Sequence, residues 1–571
     1  MKKIFFALIV GLIYALPHIL FICEEGKNYH LFFKTDEESE FYAARVREVY
    51  DGHHLNSDPF IYENKDKPYT WPFLSEFLVG ALGRTCGLSI DSLFIFGDFL
   101  FPMIVFYLLF YFLNLFVRSF SLSLAGSMAI MLAELPHSLY LLLKSILVGN
   151  FSISIGNFLV FSRHISPQFH YIFFISCFIL IYRSLIYNKT IDILLAGLFL
   201  GSLFYVYPYF WIYIFAGLGV LFLYSIFKKD FKQVKIIFFI IIGALIVSVP
   251  LWINYSRLMN LSFYNEMMIR EFQASRHMLI SILSSLSLII FITLYKNKDF
   301  NFFFLLSFLV GGLLCMNQQV FTGWTFGPYH WYHFVDKQMV VIVGIVLLER
   351  LLRNARFKER FVRLFLITGL TYSISIGMIT QVYNYENNKY IQRQQQALYE
   401  AFTWLQNNTQ KEDVILASNT VSLLIPAHTH NNVYWSSYIF EYANPDSQIL
   451  ERFFLLARLL GMNEGDVIDY ILTSREKGHS DFFGDRYEEP PHKKSSRDVK
   501  VNLTKELYDY IIERYRAFKK EDIKTLLGRF KVDYLFFSHY ERLMSKGRFK
   551  EESFLNKVYD SGGIRIYKII R

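Results

Sequence analysis

Blocks of about 20 apolar residues recur along this chain and constrain its fold more than any other feature. A helix needs ~20 apolar residues to cross the hydrocarbon core of a bilayer. The first block ends at Ile22, and ten others occupy residues 94–117, 121–143, 169–187, 190–207, 209–227, 234–252, 278–295, 302–317, 335–352 and 361–381. Residues 1–381 are therefore predicted to form a polytopic α-helical membrane domain with about eleven transmembrane helices.

The basic residues predict how the chain is oriented in the membrane. The first block follows Lys2 and Lys3 and lacks a small-x-small cleavage site, which favours an uncleaved helix with a cytoplasmic N-terminus over a signal peptide. Basic residues then fall in alternate connections, as the positive-inside rule requires, at Arg118, Arg183, Lys189, 228–235, Lys296, Lys298 and 350–363. We expect a multi-pass protein of the cytoplasmic membrane whose outer segments are 23–93, 144–168, 253–277, 318–334 and everything after 382.

Composition agrees with this assignment and excludes other classes. Charged residues make up 19% of the chain and hydrophobic ones 53%, whereas soluble domains average roughly 25% charged. The net charge of +9 comes from basic residues in short connections, so it indicates topology, and no nucleic-acid partner is predicted. The four cysteines show no CxxC spacing, so neither a zinc site nor a disulfide framework is indicated.

Residues 382–571 differ in character from the rest of the chain. Their apolar runs are short, and strand-like stretches such as 413–417 and 532–537 alternate with helical ones such as 505–518. A hairpin is predicted at 558–567, where Ser-Gly-Gly tolerates positive φ. The polar stretch 476–500 is predicted to be a loop. This region is expected to be an extracytoplasmic α/β domain.

Acidic residues open the first outer loop, which spans 23–93. Thr35 or Asp36 can cap a helix, which would place Asp36 and Glu40 on one face, with Glu37 between them. Carboxylates at this place can complement the helix dipole, accept a proton from an acceptor hydroxyl, or hold a divalent cation such as Mg²⁺ or Mn²⁺. The residues alone leave these roles open.

The other outer segments supply candidate binding groups. Arg163 is suited to bind a phosphate, because its planar fork donates two parallel hydrogen bonds and the positive-inside bias does not explain an arginine on the outer face. Arg270 lies one helical turn after Glu266, and this spacing predicts an ion pair between them. Arg270 is also kept as a second candidate to bind a phosphate. The candidate substrate-binding residues are Gln168, Gln318 and His330. No set of three metal ligands is evident from spacing.

The order of features in the first 100 residues resembles the GT-C superfamily. One membrane helix is followed by an outer loop with Asp-Glu, a tyrosine, arginines, a glycine and then Lys-Pro. The resemblance is strongest to the branch that contains the protein O-mannosyltransferases and the aminoarabinose transferases of lipid A. Those enzymes move a sugar from a polyprenyl-phosphate carrier to an acceptor outside the cytoplasmic membrane.

The resemblance implies roles for three residues. Asp36 and Glu37 match the Asp-Glu pair that contains the candidate base, and Lys67 matches a lysine that contacts the lipid phosphate. Tyr42 lies six residues after Asp36, where the family spacing is nearer four, so Glu38 or Glu40 stays open as the acid.

We therefore expect an inverting membrane glycosyltransferase with a base among residues 36–40. Its partners would be a polyprenyl-phosphate-sugar donor, membrane lipids and a glycan, lipid or protein acceptor. The alternatives are a lipid-linked saccharide flippase or polysaccharide transporter without transferase activity, and a membrane scaffold. The spans carry few ionisable groups, which disfavours ion-driven transport.

Overall fold

The computed structural model describes residues 2–36, 38–117, 119–133, 158–354, 359–473 and 505–570. Glu37, the end of the apolar block 121–143 and the polar stretch 476–500 lie outside the described residues. The backbone of Arg270 lies in the helix Tyr264–Glu271, but its side chain is also outside the described part.

Each predicted apolar block contains a helix. These helices are Lys2–Tyr14 with Leu16–Glu25, Ile90–Phe116, Phe120–Met128, His170–Tyr187, Thr190–Ser202, Pro208–Phe227, Phe231–Met259, Ile282–Leu294, Phe300–Met316, Lys337–Asn354 and Glu359–Gln396. Among the described residues, five helices are long and apolar enough to cross a membrane, and the first pair, bent by 52°, would make a sixth. The chain is thus a multi-pass membrane protein, and its number of crossings stays a prediction.

Aromatic rings and glycines bring the membrane helices together. Phe174 stacks on Phe210 with ring centroids 4.3 Å apart. A Cβ atom at Gly311 would lie 2.8 Å from the backbone nitrogen of Gly217, so these two helices touch through their backbones. Small residues allow this close approach in membrane helices, where packing contributes much of the association energy.

Short elements fill the outer segments. The first outer loop contains the helices Ser39–Asp51 and Leu74–Thr85. Farther along, strand β1 (Gln273–Ala274) pairs antiparallel with β2 (Trp324–Thr325). The helices around this pair are Tyr264–Glu271, Gln318–Thr322 and Pro328–Trp331.

The C-terminal region contains the predicted small sheet. Its strands are β3 (Val414–Leu416), β4 (Asn432–Val433), β5 (Tyr534–Phe537), β6 (Leu555–Ser561) and β7 (Ile564–Ile569), in the order β4-β3-β5-β7-β6. Strand β3 runs parallel to β4 and β5, whereas β7 is antiparallel to β5 and β6. Its helices are Tyr399–Asn408, Asn419–His428, Asp446–Leu459, Glu464–Thr473, Lys505–Lys520, Ile523–Arg529 and His539–Ser545. Positive φ angles at Gly562 and Gly563 confirm the predicted hairpin turn.

The first outer loop lies between the membrane helices and the C-terminal sheet domain. Its helix Ser39–Asp51 packs against Asn419–His428. The long helix Glu359–Gln396 continues past the apolar block and binds the start of this loop, because Gln396 Oε1 accepts hydrogen bonds from the backbone N–H groups of His30 and Leu31 at 2.8 and 2.9 Å. The loop is therefore fixed from several sides.

Candidate functional site

The acid and the arginine predicted from separate outer segments bind each other. Arg163 Nε donates to Asp36 Oδ2 at 2.9 Å, and Arg163 Nη2 donates to Glu38 Oε2. The guanidinium also lies 5.5 Å above the ring of Phe334. Burial opposes the charge of Arg163, but Glu38 and Asp36 outweigh it and raise its pKa. Two carboxylates and a guanidinium thus share one site.

The second oxygen of Asp36 is held by a chain of buried groups. Ser39 Oγ donates to Asp36 Oδ1 at 2.7 Å and lies 3.0 Å from His164 Nδ1. Because the Ser39 proton is used on Asp36, Ser39 must accept the proton of His164 Nδ1. Burial lowers the pKa of His164, but the carboxylate of Asp98 outweighs this effect, so the pKa is raised. Asp36 is therefore oriented from two directions.

The helix begins later than the sequence predicted. It starts at Ser39 with Glu38 in the cap position, and no side-chain cap bond forms there. The predicted cap at Thr35 or Asp36 is wrong, since Thr35 Oγ1 donates to Ser162 O at 2.6 Å and Asp36 binds Arg163. Contacts with the second outer segment have replaced the local cap.

His18, Asp98 and His164 form a buried group whose donor atoms lie within 4.8 Å of one another, as a metal ion would require. The hydrogen bonds on His18 test whether they fit one. The Phe33 N–H donates to His18 Nδ1 at 3.3 Å, which assigns the imidazole proton to Nε2, 2.8 Å from Asp98 Oδ2. A metal would need the lone pair of that same Nε2. In this tautomer the three residues form a hydrogen-bonded cluster and do not fit a cation.

Gln168, a predicted substrate-binding residue, belongs to this cluster. Its Nε2 donates to Asp98 Oδ1 at 2.7 Å and to Phe161 O at 3.1 Å. The side chain is buried and its N–H groups act within the protein. Its position therefore orients the carboxylate that faces His164.

Glu40 lies in the first turn of the helix Ser39–Asp51 and Asp36 precedes that helix, so the two residues do not lie on one helical face. Glu40 Oε1 accepts from Lys34 Nζ at 2.8 Å and from Gln395 Nε2 at 3.4 Å. Its other oxygen is buried and has no hydrogen-bond partner within the described ranges. Glu40 thus has other hydrogen-bond partners than Asp36, although the charges of both carboxylates act on His164.

Lys67 lies at the border with the C-terminal domain. Its Nζ donates to Ala443 O at 2.8 Å and lies 5.4 Å from the ring centroid of Phe263. Burial lowers the pKa of Lys67. In the part of the chain that the structure describes, no hydrogen bond or ion pair joins Lys67 to Asp36 or Arg163.

The remaining candidates occupy different environments. Gln318 is bound within its own turn, to Trp324 O and Thr322 Oγ1, both at 2.8 Å. His330 is closer to the site, because its Nδ1 lies 2.5 Å from Tyr207 Oη. Glu266, the predicted partner of Arg270, accepts the backbone N–H of Asp446 at 3.0 Å.

Sequence reasoning missed a cleft beside Arg163. Its walls combine four aromatic side chains with Arg45, Glu76 and His170, and the lining residues are Phe41, Tyr42, Arg45, Trp71, Pro72, Glu76, His170, Val206 and Tyr207. Arg45 Nε donates to Glu76 Oε1 at 2.8 Å in a buried ion pair. The one available signal was that Glu76 enters an apolar stretch, and spacing alone could not pair it with an arginine 31 residues away.

The fold is similar to that of an aminoarabinose transferase, a member of the branch that the resemblance named. The chain is similar to ArnT from Cupriavidus metallidurans, solved bound to undecaprenyl phosphate, with a TM-score of 0.50, 8% identity, and coverage of 98% of this chain and 97% of ArnT. The oligosaccharyltransferase of Archaeoglobus fulgidus, tethered to an acceptor peptide, gives a TM-score of 0.41 at 11% identity over 99% of this chain and 74% of that one. No family model and no curated protein matches the sequence.

Proposed function

We propose that this chain is a glycosyltransferase that moves a sugar from a polyprenyl-phosphate donor to an acceptor on the extracytoplasmic face of the cytoplasmic membrane. The observation that carries this proposal is the contact of Asp36 and Glu38 with Arg163. It supports the proposal because a carboxylate able to accept a proton lies beside a guanidinium suited to a phosphate, in a fold shared with a protein that was solved bound to undecaprenyl phosphate.

Arg163 binds the donor phosphate in this mechanism. Its fork is occupied by Asp36 and Glu38, and the phosphate oxygens replace these carboxylates with the same type of charge-assisted bonds. The guanidinium then neutralises the negative charge that develops on the leaving phosphate in the transition state. Donor binding therefore also releases Asp36, the proposed base, from Arg163.

Asp36 acts as the base once Arg163 has turned to the phosphate. It accepts the proton of the acceptor hydroxyl, whose oxygen forms a bond to the anomeric carbon. The bond from that carbon to the phosphate oxygen breaks, and polyprenyl phosphate leaves with the electron pair. This single displacement inverts the anomeric centre. Ser39 keeps the carboxylate oriented during the reaction.

Further roles follow from the resemblance. Lys67 uses one ammonium hydrogen on Ala443 O, which leaves its other N–H groups to donate to a phosphate oxygen, and Arg270 is kept as an additional phosphate candidate. Gln318 and His330 stay substrate-binding predictions. A requirement for Mg²⁺ or Mn²⁺ stays a prediction, as does the choice among glycan, lipid and protein acceptors.

The test is sugar transfer from radiolabelled polyprenyl-phosphate sugars by the purified chain in lipid nanodiscs. Asp36→Asn is compared with Asp51→Asn, a matched control whose carboxylate pairs with Arg47 in the outer helix. We expect the first variant to lose transfer and the second to keep it. Transfer that survives in Asp36→Asn rejects the base, and transbilayer movement of the donor without transfer would support the flippase alternative.

A further inference from the structure

Three buried polar atoms at the cleft lack hydrogen-bond partners among the described residues. They are both ring nitrogens of His170 and Glu76 Oε2, on side chains that are 3% and 2% exposed. More than about 90% of such groups are paired in native proteins, and each unpaired one destabilises the fold by roughly 1–3 kcal/mol. Three of them on the lining of one cleft indicate that a ligand supplies their partners.

The walls of the cleft are aromatic. The rings of His170 and Tyr207 lie 5.3 Å apart, and those of Tyr42 and His170 6.5 Å apart. The half-buried Trp71 stands at 76° to Phe41, with ring centroids 6.2 Å apart. Between these rings there is room for about one water-sized group. The cleft therefore suits a single hydroxyl or hydroxymethyl group, while the rest of a sugar ring rests on the aromatic rim.

The charged residues of the cleft indicate which kind of sugar it can bind. The carboxylate of Glu76 is neutralised by Arg45, which also donates to Pro72 O and Tyr442 Oη. The charges of the residues that line the cleft therefore balance. A buried ammonium or carboxylate would lose its hydration without gaining a counter-ion, whereas a hydroxyl can donate to Glu76 Oε2 and accept from His170.

The cleft also borders the proposed phosphate site. Tyr42 and Tyr207, two of its lining residues, both lie within the electrostatic field of the Glu38–Arg163 pair. A group in the cleft is thus close to a phosphate bound by that arginine, as the sugar of a polyprenyl-phosphate donor must be.

We infer that this cleft binds a hydroxyl group of a neutral donor sugar through Glu76 and His170. This assignment rests on the proposed function, and it specifies the donor as a sugar without amino or acidic substituents. The aromatic rim positions the ring, and the two buried polar side chains recognise its hydroxyl. An analogue that lacks this hydroxyl leaves those groups unpaired, which is the basis of strong discrimination.

The first test is His170→Phe, which removes both unpaired nitrogens and keeps a ring. We expect the variant without donor to melt at a higher temperature than the unsubstituted protein, because buried unpaired polar atoms are lost. Its KM for a donor with a neutral sugar should rise at least about tenfold, with unchanged affinity for undecaprenyl phosphate alone. His170→Gln, which restores a donor and an acceptor, should recover most of the affinity for the sugar donor. An unchanged KM in His170→Phe, or equal losses in both variants, overturns the inference.

A donor panel on one polyprenyl-phosphate carrier separates this inference from the proposed function. The unsubstituted chain should transfer a neutral hexose at least about tenfold more efficiently than an amino sugar or a uronic acid. Equal transfer of all three overturns the cleft assignment and leaves the transferase intact. If no donor is transferred, the proposed function fails, and the binding of donors becomes the test of the cleft assignment. A neutral-sugar donor that raises the melting temperature no more than undecaprenyl phosphate does would then overturn the cleft as well.

Discussion

Replacing Asp36 by Asn should strengthen donor binding while it abolishes transfer. Asp36 and the donor phosphate compete for the same guanidinium, since Arg163 Nε already donates to Asp36 Oδ2 at 2.9 Å. In the absence of donor, the substitution leaves Glu38 as the one carboxylate paired with Arg163 among the described residues, in a site where the arginine side chain is only 16% exposed. The variant should therefore melt at a lower temperature, and undecaprenyl phosphate should restore the loss.

The expected change in donor affinity follows from how exposed each carboxylate is to solvent. The Asp36 side chain is 6% exposed, and a hydrogen bond to a charged group contributes about 1.5–3 kcal/mol, which is roughly 10- to 150-fold in affinity. Asparagine still accepts from Arg163, so we expect the lower end, a gain of about tenfold. Glu38 is 43% exposed, where solvent weakens a pair to about 0.2–1 kcal/mol. Glu38→Gln should tighten donor binding about fivefold or less and keep transfer.

The assay is equilibrium binding of undecaprenyl phosphate to the purified chain in nanodiscs, with melting temperatures measured in parallel. Asp51→Asn serves as the control, because it removes a carboxylate of the same outer helix that pairs with Arg47. Its donor affinity should not change. Donor binding that is equal or weaker in Asp36→Asn refutes the exchange of partners at Arg163.

Three other predictions test the supporting contacts. Ser39→Ala should lower kcat about tenfold and leave donor affinity unchanged, because one hydrogen bond to the base is lost; Ser39→Thr should retain activity, and equal losses in both would indicate a purely structural role. Burial raises the pKa of Glu63, but Arg452 and a backbone N–H outweigh it and hold the pKa below 4.5. The Glu63–Arg452 pair stabilises the fold above pH 4.5, and this contribution is lost as pH falls through the lowered pKa. Below pH 4.5 the melting temperature of Glu63→Gln should therefore depend less on pH than that of the unsubstituted chain, and an identical dependence refutes this. Lys67→Met should weaken undecaprenyl phosphate binding about tenfold through loss of one charge-assisted hydrogen bond; unchanged binding removes Lys67 from the phosphate site.

The membrane helices could be predicted because lipid imposes a length and an apolar composition that are visible within a single segment. The turn at Gly562 and Gly563 was equally local, since two adjacent glycines at positive φ suffice to close it. Arg163 could be selected because it breaks the expected distribution of basic residues across the two faces.

The remaining features depend on contacts between distant segments. Arg45 and Glu76 each look like ordinary loop charges until the fold buries them against one another. His170 reads as the first residue of an apolar span, and its significance lies in the lack of hydrogen-bond partners in the described structure. The long helix exceeds its apolar block because its polar end is stabilised by the first outer loop, through residues such as Gln396.

The unbroken helix Glu359–Gln396 makes the outer region sensitive to the rotation of one helix about its axis. Its 38 residues span about 57 Å at ~1.5 Å per residue. Asn384 and Gln396, on its outer part, hold Thr35 and Leu31 by hydrogen bonds. One inserted residue between the apolar block and Asn384 would rotate both amides by about 100° and turn them from the loop that carries Asp36. The number of residues in this stretch sets the direction in which the two amides point. Insertions of whole helical turns are therefore expected to be tolerated far better than insertions of single residues.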